Sequence, residues 1–358
     1  MMTNNGIIGE NMLPVYESVP LLECVEIIGR AENVLILTHA NPDGDCIGSA
    51  FALKALILAM GKRAYVVNPG EVPKRLHFLM IGQESCALED VDIDKFDLIL
   101  SIDTASPAQL GAHADIIPKI GLMIDHHGTG EAYARNHIDL SASAAGEIVY
   151  RIYSELKKRG AVSSCPDAAR RMYAAIVSDT GSFKFSNTTP YTHIAASELV
   201  GEINSADEGG MDTADVCRSL FGQRTLKELT AQMIAIQNLK FFEDGALGAV
   251  VFTQQILADA ELTEDEIGNV VDTPRGVEGV LVGISLRQLA ADQKQYKVSS
   301  RANAEIDCAA VCAAFGGGGH VRAAGCTITA DSPDEALAVM AEAFGAAVRA
   351  YKAEKSLK

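Results

Sequence analysis

Basic residues are scarce in this chain: 30 Lys and Arg stand against 47 Asp and Glu, a formal charge of −17. Coating a nucleic-acid backbone needs a basic surface, so that class is excluded, whereas a short nucleotide held by a local cluster of cations is not. Long apolar runs are lacking too. The most apolar stretch, Cys46 to Gly61, is broken by Lys54 and falls short of the roughly 20 residues that cross a bilayer. The opening stretch MMTNNGIIGENMLP has no basic segment followed by an apolar one, so no signal peptide is expected. Eight cysteines include no C-x-x-C pair and read as reduced thiols packed as small hydrophobes. A cytoplasmic protein without membrane contact is the expectation. Apolar content, by contrast, is ample: 48% hydrophobic residues in 358 exclude intrinsic disorder. At roughly 100–200 residues per domain, two domains are expected.

In the first half, aliphatic runs alternate with helical patterns. Val34–Thr38, Ala64–Asn68, Leu98–Ile102 and Gly121–Ile124 predict buried strands, and Ile47–Met60, Ala144–Arg159 and Pro166–Ser178 predict helices. Such alternation implies a parallel sheet covered by helices. The polar, Gly-rich stretch Asn204–Ala214 marks a domain boundary, and helical patterns follow to about Leu239. Beyond it, Leu247–Thr253, Gly279–Leu286 and Gln295–Ser300 predict strands. Ser332 and Glu335 form a capping box for a last helix, whose apolar face is Leu337, Met340, Ala341, Phe344 and Val348. No repeats or low-complexity tail interrupt this order.

The chemistry sits where the first-half elements end. Val34–Thr38 is followed by His39-Ala-Asn-Pro-Asp43-Gly-Asp45, Leu98–Ile102 by Asp103, and Gly121–Ile124 by Asp125-His126-His127. A later apolar run, Tyr173–Val177, is followed by Ser178-Asp179. In a parallel sheet these points share the carboxyl edge, where open α/β folds bind ligands. Singly, each Asp could be a turn former or helix cap, and Asp45 could merely cap the following helix. Together, such densely packed carboxylates repel unless a cation neutralises them. Two divalent metals would supply that charge. Carboxylate and imidazole donors without thiolate suit Mn²⁺, Mg²⁺ or Fe²⁺.

These four segments resemble the motifs of the DHH phosphoesterase superfamily, named for its Asp-His-His triplet. The stretch Phe315-Gly-Gly-Gly-Gly-His320-Val-Arg-Ala-Ala-Gly325 resembles the signature of its C-terminal DHH-associated domain. The resemblance implies a Rossmann-like parallel-sheet α/β catalytic domain (1–203), connecting helices (204–239) and a smaller α/β substrate-binding domain (240–358), with the active site in the cleft between them. It implies one metal held by His39, Asp43 and Asp103, and a second held by Asp45, Asp103, His126 and Asp179, with Asp103 shared. His127 would face the substrate phosphate, and Asp125 would orient the neighbouring imidazole. Two metals can activate water and stabilise charge on a phosphoryl oxygen, so no covalent enzyme intermediate is needed.

Four glycines in a row are entropically expensive, and Gly317, Gly318 and Gly319 suit close approach of backbone N–H groups to phosphate, with His320 beside them. A floppy surface loop is the rival reading. Arg287–Arg322 carries five basic residues against three acidic ones, a local reversal that points to an anion site. Arg301 matches the family's substrate-contacting arginine, although Ser300 stands where that family more often has Leu. Cys308, Cys312, His320 and Cys326 fit no zinc spacing, and buried thiols explain the cysteines better.

Within the superfamily the chain resembles the nanoRNase (oligoribonuclease) and 3'-phosphoadenosine 5'-phosphate (pAp) phosphatase branch. That implies hydrolysis of short RNAs and pAp with two Mn²⁺ ions, small nucleotides as partners, and no long duplex. Hydrolysis of cyclic or linear dinucleotides is the close alternative, and a non-catalytic nucleotide-binding regulator is the alternative from another class. The oligomeric state, a homodimer included, stays open.

Overall fold

In the computed structural model, which describes residues 16–356 apart from 129, 207–209, 269, 291 and 293, strands β1 (Asn33–Leu37) and β3 (Leu98–Ile102) are buried at every residue. Continuous aliphatic runs require this, because helices cover both faces of a parallel sheet. Helix α1 (Leu21–Arg30) precedes β1, and α2 (Gly44–Ala59) joins it to β2 (Arg63–Val67). Beyond β3 come β4 (Leu122–Asp125), β5 (Asn136–Ile138), and helices α3 (Ala145–Lys158), α4 (Pro166–Asp179), α5 (Pro190–Asn204) and α6 (Thr213–Cys217). The five strands lie in the order β2-β1-β3-β4-β5, all parallel. The order reverses between β1 and β3, which makes their carboxyl ends the switch point where such sheets open a crevice.

Helix α2 begins three residues before Ile47, because the Asp43 side chain accepts the N–H groups of Asp45 and Cys46. Asp43, not Asp45, is therefore the cap, and Asp45 lies inside the first turn. The helix is buried almost all round, as its predominantly apolar sequence demands. Helix α1, strand β5 and helix α5 are additions to the expected elements of this unit. β5 is too short to show a period, and α5 opens on a Thr189–Thr192 capping box followed by Pro190.

The chain divides between Gln223 and Arg224 into two compact units, inside the 204–239 segment read as connecting. In the second unit, α7 (Leu226–Gln237) packs Ala231 and Ala235 against Val250 and Phe252. Then come β6 (Lys240–Phe242), β7 (Leu247–Phe252), the short helices α8 (Gln254–Asp259) and α9 (Asp272–Arg275), β8 (Val282–Gln288) and β9 (Gln295–Ala302). Helix α10 (Cys308–Ala313), β10 (Gly318–His320), β11 (Ala323–Thr329) and the long α11 (Pro333–Ser356) complete it. The sheet order is β10-β11-β9-β8-β7-β6, antiparallel except for the parallel β7–β8 pair. Leu337, Met340, Phe344 and Val348 of α11 join Val282, Ile284, Leu286 and Val298 in one core, as their helical spacing predicts. Among the described residues, no helix is long and apolar enough to cross a membrane.

Candidate metal centre

Each strand end delivers its acidic or imidazole side chain through a distinct local device. Asp45 is 1% exposed, and its carboxylate is gripped from three sides. Oδ1 accepts from Ser49 Oγ at 2.8 Å and from Gly146 N–H at 2.9 Å, while Oδ2 accepts from Ala145 N–H at 2.7 Å. The last two donors belong to the first turn of α3, whose unpaired amides favour an anion. Asp103 follows β3 with φ of +53°, a conformation rare outside glycine and asparagine, and its N–H donates to Ile124 C=O. The unusual backbone turns the chain at the strand end and keeps the carboxylate inside. Asp125 closes β4. Its Oδ1 accepts from His126 N–H at 2.7 Å and from His127 N–H at 3.3 Å, and it lies 2.8 Å from His127 Nδ1.

His126 Nε2 is the convergence point. It lies 3.6 Å from Asp45 Oδ2, 3.6 Å from Asp103 Oδ1 and 3.8 Å from Asp179 Oδ2. His127 Nδ1 also lies 3.6 Å from Asp103 Oδ1, whereas His39 Nε2 lies 3.8 Å from the other oxygen, Oδ2. Three sets of donor atoms come within 4.8 Å of one another: Asp45, His126 and Asp179; His39, Cys46 and Asp103; and Asp103, Asp125, His126 and His127. Asp103 is common to two sets. Asp43 is in none of them, its Oδ1 being occupied as the α2 cap, yet its charge acts on His39, Asp45, Asp103 and Asp179.

Burial pushes the Asp103 carboxyl well above the usual carboxylate range, and Asp45, Asp43, Asp125 and Asp179 push it further. Burial also raises Asp45 against the opposing pull of His126, and Asp179 is driven up to about 8 by burial and by Asp45 and Asp43. The His39 imidazole is lowered by burial, whereas the Asp125 hydrogen bond raises His127. So many carboxylates cannot ionise together without a compensating positive charge.

Divalent metal ions, which the family motifs imply, fit this donor set. Asp103 Oδ1, Asp125 Oδ2 and His126 Nε2 are buried and have no hydrogen-bond partner among the described residues. Buried polar atoms are rarely left so. Separations of 3.6–3.8 Å are too long for hydrogen bonds. They suit atoms that share a cation, since oxygens each about 2.1 Å from a metal sit about 3–4 Å apart.

Several contributors were not legible in the sequence. Asn187 Nδ2 donates to Asp179 Oδ2 at 3.1 Å, to Asp179 C=O at 3.2 Å and to Ser143 C=O at 2.9 Å, so it fixes the last carboxylate. Ser49 is four residues beyond Asp45 on the same helix face, a spacing that could have signalled it. Glu147, fully buried, accepts from the Ser143 and Thr192 hydroxyls and pairs with Arg151, bracing the start of α3. Cys46, fully buried, brings its Sγ within 4.8 Å of donor atoms of His39 and Asp103.

In the second unit, Arg301 of β9 stands opposite Ala323 of β11, and Ala323 stands opposite His320 of β10. Directly opposed residues share a sheet face, so Arg301 and His320 project from one face, two strand spacings or about 10 Å apart. The glycine run forms the edge strand itself. A Cβ at Gly317 would lie 2.2 Å from Gly325 C=O, and one at Gly319 would lie 2.6 Å from Ala323 C=O, whereas Gly318 faces open space. Close approach at Gly317 and Gly319 is thus to β11. Ser300 is buried and its hydroxyl donates to Ala324 C=O, which gives this polar residue a backbone role where an aliphatic one was expected. Cys308, Cys312 and Cys326 are buried free thiols in the same core.

Residues 33–176 match the DHH family, N-terminal domain, and residues 248–346 match the DHHA1 domain. The bifunctional oligoribonuclease and PAP phosphatase NrnA of Thermus thermophilus is 30% identical over 324 residues, 89% of this chain and 91% of that protein. The cyclic-di-AMP phosphodiesterase GdpP of Bacillus subtilis is 25% identical over 334 residues, 87% of this chain but 47% of that protein. An exopolyphosphatase-related protein from Bacteroides fragilis has the same fold, with a TM-score of 0.80 at 24% identity over 93% of this chain and 96% of that one. The chain belongs to the DHH family, and it is a phosphoester hydrolase that carries a DHHA1 domain.

Proposed function

We propose that this protein hydrolyses short oligoribonucleotides and 3'-phosphoadenosine 5'-phosphate, using two divalent cations, Mn²⁺ foremost. The observation that carries the reading is Asp103, whose two carboxylate oxygens face His39 on one side and His126 on the other from a buried position. His39, Asp43 and Asp103 would hold one cation, and Asp45, Asp103, His126 and Asp179 the other. When bound, such a pair supplies the positive charge that activates water and offsets charge on phosphoryl oxygens.

The remaining steps belong to the chain. Asp125 holds the His127 ring through Nδ1, which orients that imidazole toward a phosphate oxygen. The α3 amides and Ser49 hold Asp45, and Asn187 holds Asp179, so neither carboxylate must reorganise during the reaction. Arg301, Gly317, Gly318, Gly319 and His320 are assigned to anion recognition on the second unit. Similarity over 91% of an oligoribonuclease and PAP phosphatase, against 47% of a cyclic-di-AMP phosphodiesterase, favours this substrate class. A turnover panel of pAp, RNAs of two to five nucleotides, cyclic dinucleotides and pyrophosphate under one Mn²⁺ concentration tests it. The reading predicts pAp and the shortest RNAs to be turned over fastest. Preference for a cyclic dinucleotide would replace it with the alternative.

A further inference from the structure

Between Asp179 and Asn187 the chain makes a turn that the metal centre alone does not explain. Gly181, Ser182 and Phe183 have φ of +55°, +61° and +63°, three left-handed residues in succession, two of them not glycine. A left-handed backbone is unfavourable for each such non-glycine residue, and strain of this kind persists where surrounding contacts impose it. Those contacts are present. Lys184 and Phe185 N–H both donate to Thr180 C=O at 3.0 Å, and Phe183 N–H donates to Thr180 Oγ1 at 3.1 Å. At the far end, Asn187 ties the turn back to the carboxylate and carbonyl of Asp179.

The turn presents one ring. Phe183 points inward and stacks on His193 at 5.1 Å between centroids, but Phe185 is 47% exposed. The Phe185 ring lies flush on Gly181, where a Cβ would come within 2.4–2.7 Å of three ring carbons. A glycine with a left-handed φ thus makes room for this ring two residues beyond a candidate metal ligand. A single exposed phenylalanine is ordinary. One held by a strained turn, closed on Thr180 at one end and on Asp179 at the other, is a placed apolar surface.

We infer that Phe185 is a substrate-binding residue that stacks on the nucleobase attached to the phosphoester being cleaved. This rests on the nucleotide reading above and adds how the base is held. Aromatic stacking accepts any base, because every base has a π-face. Rigid placement reduces the ordering entropy that a mobile side chain would lose on binding.

The chain contains no tryptophan, so Phe185→Trp introduces a single reporter on this surface. With the Mn²⁺-loaded protein, adenosine 5'-monophosphate should quench the emission saturably, and ribose 5-phosphate, which lacks the base, should not. Equal effects of the two ligands, or no effect of either, would overturn the inference. Independently, Phe185→Leu keeps an apolar group over Gly181 without a π-face. It should raise KM for pAp and dinucleotides about tenfold while changing kcat less. An unchanged KM in that variant would overturn the inference while leaving the nucleotide reading intact. Absence of wild-type turnover on every nucleotide would instead refute the underlying reading.

Discussion

His126 Nε2 and Asp103 Oδ1 lie 3.6 Å apart, both buried and neither hydrogen-bonded to any described residue. Two polar atoms held this close without a shared proton are placed for a common positive charge, and Asp103 reaches His39 from its other oxygen. The aspartate is therefore exposed to like-charge repulsion from four neighbours until cations arrive.

Asp103→Asn should raise the melting temperature of the metal-free protein. The amide removes one of the clustered charges, keeps the shape and tolerates a positive φ. The same change should abolish turnover. Calorimetry in chelator and in Mn²⁺ checks this: a metal-free variant that melts below wild type would show that Asp103 is not under repulsion.

Metal addition should stabilise the wild type by mass action, about 2.7 kcal/mol at a free concentration 100 times Kd. Exhaustive chelation should stop catalysis, and Mn²⁺ should restore it. Full activity in excess chelator would remove the metal from the account.

Asn187→Ala and Asp125→Ala should each weaken Mn²⁺ binding or activity on the order of 10–100-fold, because both act through a neighbouring side chain. Isothermal titration of folded Asn187→Ala and turnover by folded Asp125→Ala read this out. A wild-type Mn²⁺ affinity in the first would mean that Asp179 needs no support, and wild-type turnover in the second that His127 needs none.

Glu202 gives a pH prediction remote from the metals. Burial pushes its carboxyl up, but Lys157, Ser164, Tyr153 and the Cys165 N–H outweigh that and bring it down to about 2. A folded value below the unfolded one contributes stability above the ordinary Glu range, lost as pH falls toward 2. The melting-temperature gap between wild type and Glu202→Gln should be widest near neutrality and close between about pH 4.5 and 2. A gap independent of pH would contradict the assignment.

Why the site was visible in the sequence and parts of its support were not follows from chain connectivity. Asp103 and Asp125 each terminate an aliphatic strand, and parallel topology sends such ends to one edge, so linear order alone brings them together. Asn187 reaches Asp179 across a turn of left-handed residues, and no periodicity encodes that. The sequence left open whether Asp45 merely caps α2, because Asp43 and Asp45 are both plausible caps two residues apart, and only geometry separates them. In the second unit the glycine run was legible as a place of close backbone approach. Which backbone it approaches, β11 in the case of Gly317 and Gly319, depended on a pairing register distant from any motif. The short β5, which depends on β4 beside it, gave no signal of its own.

The shared role of Asp103 is tested most directly by electron paramagnetic resonance of the Mn²⁺-titrated protein. Two cations bridged by one carboxylate sit about 3.5–4 Å apart and couple magnetically. The account predicts a coupled two-Mn²⁺ spectrum in the wild type that Asp103→Ala converts to uncoupled or absent Mn²⁺ in a folded protein. An uncoupled single ion in the wild type, or a coupled pair that survives Asp103→Ala, would contradict it.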